Sequence, residues 1–107
     1  MKLAVAAPDR AAAAANRAAH LEAMETVRAA AETALAGGGA KARERHLARG
    51  KMLPRDRVAA LLDPGTPFLE IGLTAAHGLH DGEAPGAGLI CGVGRVMGRE
   101  VMVVCND

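Results

Sequence analysis

The stretch KARERHLARGKMLPRDRVAALLDPG, residues 41–65, sets seven basic side chains into seventeen positions, then turns into an apolar helical pattern closed by Asp63-Pro64-Gly65. Lys41, Arg43, Arg45, Arg49, Lys51, Arg55 and Arg57 against Glu44 and Asp56 give residues 41–57 a local charge of +5, although the 107-residue chain carries only +1. Charge gathered in this way points to an anionic partner. The spacing predicts a helix from Ala40 to Arg49 with Gly50 as its stop, so that Arg45 and Arg49, four residues apart, share one cationic face. A third helix is expected from Pro54, whose fixed φ suits a first turn, with Asp56 near the positive end of the dipole and Val58, Leu61 and Leu62 facing inward. Leu53 offers no capping oxygen, which costs that helix start about 1 kcal/mol.

Working outward toward the N-terminus, residues 1–9 read as a loose tail. From Arg10 to Ala36 alanine dominates, and Leu21, Met24, Val27, Ala31 and Leu35 recur at helical spacing as a narrow apolar stripe. Gly37-Gly38-Gly39 ends that helix. Toward the C-terminus, Phe68-Leu69-Glu70-Ile71 reads as a short strand and Ala76 to Gly88 as a long loop. Leu89–Val96 and Glu100–Cys105 then form a hairpin around a three-residue loop, Met97-Gly98-Arg99. Val101 to Cys105 are apolar without alternation, the pattern of a strand covered on both faces. Its covering partners are expected from residues beyond Asp107.

Three motifs resemble one another's companions in a known family: K-A-R-E-R-H-L-A-R-G-K, then R-D-R-V-x-x-L-L-D-P-G-T-P-F-L-E, then DGEAPGAGLICGVGRVMGREVMVVCND. Together they resemble the start of the carboxyltransferase (β) subunit of biotin-dependent acyl-CoA carboxylases, over roughly Met24 to Asp107. The DGEAPGAG string at Asp81–Gly88 is most similar to the methylcrotonyl-CoA branch, followed by geranyl-CoA and propionyl-CoA. The resemblance implies an α/β fold: the N-terminal part of a crotonase-like carboxyltransferase domain built from β-β-α repeats, preceded by helices and incomplete. Residues 1–20 would be an N-terminal extension, flexible or helical, and 21–107 the beginning of the acyl-CoA carboxyltransferase N-terminal domain.

It further implies carboxyl transfer from carboxybiotin to an acyl-CoA, as in leucine catabolism for the methylcrotonyl branch. Biotin would be carried by a partner, the biotin carboxylase and carrier (α) subunit, and other β subunits would complete a hetero-oligomer. The catalytic oxyanion segments lie downstream of the N-D motif, so no catalytic residue is assigned here. The chain alone is expected to be an inactive piece of the enzyme. Within it, Arg45, Arg49 and Lys51 are the candidate contacts to the coenzyme A phosphates, which need guanidinium forks and ammonium groups. An interface with acids of the same or another subunit would use the same cations. The alternative class is a small non-enzymatic module binding an anionic partner through Lys41–Arg57.

Composition narrows the remaining possibilities. One Phe and no Trp or Tyr leave no aromatic platforms for base stacking, which argues against nucleic acid. No apolar run approaches the roughly 20 residues needed to cross a bilayer. The N-terminal residues lack a signal-peptide core, and a bacterial cytoplasmic setting is expected. His77 and His80 sit in a Gly- and Pro-rich loop with no further ligand at finger spacing, so no metal is assigned. Gly92-Val93-Gly94 fails the dinucleotide fingerprint and reads as close backbone approach within a sheet. Cys91 and Cys105 lie nearly opposite across the expected hairpin and are expected to stay free thiols in a reducing compartment.

Overall fold

The computed structural model describes Ala7 and residues 9–107. The tail expected over residues 1–9 falls almost wholly outside them. α1 runs Arg10–Leu35; Asp9 caps it by accepting from the amides of Ala11 at 2.9 Å and Ala12 at 3.3 Å. Gly37, at φ +70°, ends it in the left-handed conformation a Cβ would resist. The expected apolar stripe does not face the molecule: Leu21, Met24, Val27 and Leu35 are exposed, and the buried residues are Ala30 and Ala34. What α1 meets is loop backbone, with a Cβ at Gly86 standing 3.9 Å from the Ala34 methyl. Only its alanine side comes down that closely.

α2 spans Ala40–Ala48, with Arg49 as its C-cap and Gly50 at φ +69° closing it. α3 spans Pro54–Leu61 with Pro54 in the first turn and no side-chain bond from Leu53 to the helix start. It has eight residues, and one row of them meets the sheet: Val58 is buried and Leu62 packs beside it. Leu61, expected inward, is 51% exposed, because the helix ends there and Leu62 alone turns into the core.

The sheet has three antiparallel strands in the order β1-β2-β3: β1 is Leu69–Glu70, β2 Leu89–Val96 and β3 Arg99–Asn106. The strand expected over Phe68–Ile71 is shorter, although the Ile71 amide still donates to the Cys91 carbonyl at 2.7 Å. The hairpin loop has two residues where the sequence suggested three. Met97 and Gly98 both take positive φ, +50° and +76°, and Arg99 pairs with Val96. That is the doubly left-handed turn whose twist matches its strands. Met97 is held in it by Asp63, whose carboxylate accepts from the Met97 amide at 2.7 Å and the Gly98 amide at 2.8 Å.

This turn fixes the register, and the register corrects the cysteine geometry. Ile90 pairs with Cys105 and Cys91 with Val104, so the two sulfurs point to opposite faces of the hairpin. Both are free thiols. On the inner face Val58, Ile90 and Val103 form the core, joined by Leu62, Phe68, Val101 and Cys105. Gly92 and Gly94 make this packing possible. A Cβ at Gly92 would lie 2.5 Å from both the Leu69 carbonyl oxygen and the Phe68 ring, and one at Gly94 would overlap Leu62. The outer face carries Leu69, Ile71, Met102 and Val104, all exposed, so the chain itself covers one side of the sheet. Among the described residues, no helix is long and apolar enough to cross a membrane.

Candidate anion-binding site

The basic segment divides into three groups once folded. Arg55 is spent internally. Its guanidinium donates to both carboxylate oxygens of Glu70, at 2.8 and 2.9 Å, in a pair whose side chains are 28% and 14% exposed. This bidentate fork ties the first turn of α3 to β1. The hydrogen bonds to Glu70 raise the Arg55 pKa above its ordinary value, and partial burial opposes them.

Arg43, His46 and Arg57 form the second group. Arg43 and His46, three residues apart, share a face of α2 and, with Arg57 of α3, line a cavity of about 420 Å³. Its other walls are the Glu83–Gly88 loop, Leu53-Pro54, the end of α1 and Asn106-Asp107. His46 Nε2–H donates to the Met52 carbonyl at 3.0 Å, bracing α2 against the link to α3. Glu83 and Asp107 line the same cavity as the two guanidinium groups, so the charges there are of both signs.

The third group is the one the sequence singled out. Arg45, Arg49 and Lys51 are all exposed. At about 100° per residue, Arg45 lies about 200° around α2 from Arg43, turned away from the cavity, and neither it nor the C-cap Arg49 lines that cavity. Among the described residues the ion pairs are Arg55–Glu70 and Arg28–Glu25, the latter at 3.6 Å; the ridge cations enter neither. A solvent-facing row of unpaired cations is open to an anion without the breaking of an internal pair.

The structure therefore keeps Arg45 and Arg49 together, with Lys51 just past the Gly50 turn, and separates them from Arg43 and Arg57. Sequence reasoning did not single out Arg43 or Arg57. A signal existed in the three-residue spacing of Arg43 and His46, but nothing local says which face of α2 turns toward the end of β3. His77 and His80 are exposed in the loop, His80 within a one-turn 3-10 segment at φ +52°.

The model of the carboxyl transferase domain family matches residues 45–107. The chain is 58% identical over 71 residues to the biotin-dependent 3-methylcrotonyl-coenzyme A carboxylase beta1 subunit of Mycobacterium tuberculosis, covering 66% of this chain and 13% of that protein. It is 37% identical over 82 residues to the human mitochondrial propionyl-CoA carboxylase beta chain, covering 70% and 15%. The crystal structure of the Pseudomonas aeruginosa geranyl-CoA carboxylase beta subunit superimposes with a TM-score of 0.73 at 38% identity, covering 97% of this chain and 19% of that one. The chain thus spans less than a fifth of the length of these relatives. Its helices and antiparallel sheet match the crotonase-like α/β carboxyltransferase fold over that share, and the chain belongs to the carboxyl transferase domain family.

Proposed function

We propose that this chain serves in the carboxyltransferase (β) subunit of a biotin-dependent acyl-CoA carboxylase, the enzyme that moves a carboxyl group from carboxybiotin to an acyl-CoA. The observation that carries the reading is the family match over residues 45–107, which takes in most of the basic segment and the whole hairpin. Methylcrotonyl-CoA is the favoured substrate, supported by the 58% identity to the mycobacterial 3-methylcrotonyl-CoA carboxylase subunit; geranyl-CoA and propionyl-CoA are the runners-up. Residues 21–107 are the beginning of the N-terminal carboxyltransferase domain and residues 1–20 an extension. The mycobacterial relative supports a bacterial cytoplasmic setting, whereas the human relative is named mitochondrial.

Carboxybiotin supplies the carboxyl group and is carried by the partner α subunit. No residue of this chain is assigned to biotin. The chain's own contribution is to bind and orient. Arg45, Arg49 and Lys51 hold the phosphates of coenzyme A. Arg43 and Arg57 are likewise exposed and outside the ion pairs, but the cavity they line already contains two carboxylates, and that supports the ridge over them. Phosphate contacts remote from the reacting carbon hold ground state and transition state alike, so they act on KM.

The test is steady-state kinetics of the assembled carboxylase with Arg45→Ala/Arg49→Ala. The expected result is a rise of about tenfold or more in KM for the acyl-CoA with kcat retained. An unchanged KM in an intact assembly would make the ridge an interface element.

A further inference from the structure

Every residue of α1 from Arg10 to Ala29 is exposed, and neither a strand nor another helix of the described residues packs against it. Helices in proteins draw most of their stability from packing of one face, and this one presents Leu21, Met24, Val27 and Leu35 to solvent. The occupant of that face can be read from the helix itself, because its two halves are unlike.

From Arg10 to His20, seven of eleven residues are alanine, and the charged side chains are Arg10 and Arg17, with His20 and no acid. From Leu21 to Leu35 the large apolar residues appear together with Glu22, Glu25 and Glu32 against a single base, Arg28. The first half is small and basic; the second is bulky and acidic. A partner complementary to one half has the character of the other half.

We propose that α1 is the surface through which two copies of this chain pair, as antiparallel helices related by a two-fold axis near Leu21. Setting Leu21 level with its own copy brings Arg10 level with Glu32, Arg17 with Glu25 and His20 with Glu22. The same stagger brings Met24 level with Ala18, Val27 with Ala15 and Ala31 with Ala11. Away from the Leu21 pair at the two-fold, Met24 then stands level with an alanine, which spares the seam a second pair of bulky side chains. A parallel pair does the reverse: it stacks acids on acids, bases on bases and alanine on alanine. The two-fold repeats each contact on both copies. This inference goes beyond the carboxyltransferase reading and does not rest on it.

The test uses the whole chain, with association measured by sedimentation and the helix direction by distances between spin labels. Arg17→Glu is expected to weaken the dimer at least tenfold. Arg17→Glu/Glu25→Arg is expected to restore it, since exchanging the charges preserves their complementarity. Leu21→Glu should abolish pairing while circular dichroism keeps the helical signal, because position 21 faces solvent in the single chain. With Cys91 and Cys105 replaced by Ser and one label at Ala12→Cys, the antiparallel pair separates the labels along the helix axis by about 27 Å. A parallel pair leaves no axial separation. A chain that stays monomeric at all concentrations, a dimer indifferent to Leu21→Glu and Arg17→Glu, or labels without axial offset would each overturn the proposal. The second of these outcomes would place association on the exposed sheet face instead.

Discussion

Replacing Asp63 by Ala removes the one side chain that holds the hairpin turn closed. Its carboxylate accepts from the Met97 and Gly98 amides at 2.7 and 2.8 Å, and its own amide donates to the Arg95 carbonyl at 2.8 Å. The substitution keeps the amide bond and removes the other two. A hydrogen bond to a charged group contributes about 1.5–3 kcal/mol, and the half-exposed setting brings each toward the lower figure, for a total of about 3 kcal/mol. The strain at Met97 adds a test of mechanism. A non-glycine residue in the left-handed region costs roughly 1 kcal/mol, which the carboxylate now offsets. Met97→Gly in the Asp63→Ala background should therefore recover about 1 kcal/mol, while Asp63→Asn, which keeps one acceptor, should lose about half the full amount. Hydrogen exchange of the β2–β3 amides in the assembled subunit reads these differences directly, with a fall in protection of about a hundredfold for the Ala variant. If Asp63→Ala exchanges like the parent, or Asn behaves no better than Ala, the carboxylate is not what fixes the turn.

Gly92→Ala should destabilise the sheet by about 1–3 kcal/mol, since the added methyl meets the Leu69 carbonyl and the Phe68 ring, whereas Gly39→Ala, with open space around it, should not disturb the core; thermal denaturation of the two variants side by side distinguishes them. Cys91 and Cys105 should titrate as two free thiols under denaturation and should yield no intrachain disulfide after mild oxidation, because the register sends them to opposite faces; a peptide map containing that bridge would contradict the register.

The ends of the helices were legible because they are written in local chemistry: Gly37 and Gly50 in left-handed conformations, Pro54 in a first turn, Asp63-Pro64-Gly65 as a stop. The hairpin was legible from its apolar strands, yet its turn length was not. Met97 is not a residue that favours φ > 0, and what holds it there is a carboxylate 34 positions upstream, an interaction with no sequence-local trace. The stripe on α1 was legible as helical but its direction was not, because periodicity says which residues share a face and not which face the chain leaves bare. The same limit applies to the basic segment. The shared face of Arg45 and Arg49 could be read from spacing, but the place of Arg43 and Arg57 on a cavity depends on where the end of β3 and the Glu83–Gly88 loop arrive.

The two ties on α3 have a mechanical consequence. At its first turn Arg55 grips Glu70 of β1, and just past its last residue Asp63 grips the β2–β3 turn, so the short helix is fixed to the sheet at two separated points. A body mounted at two points cannot swivel. α1 is mounted differently, resting on the alanine contacts near Ala30 and Ala34 while the twenty residues before them reach free of the rest. That length is a lever arm of about 30 Å, and a rocking of about 10° at the alanine pivot sweeps its far end through about 5 Å. The single chain thus joins a platform fixed at two points to an arm held at one, where Gly86 lies beside Ala34, and the pairing proposed above would hold that arm along its length.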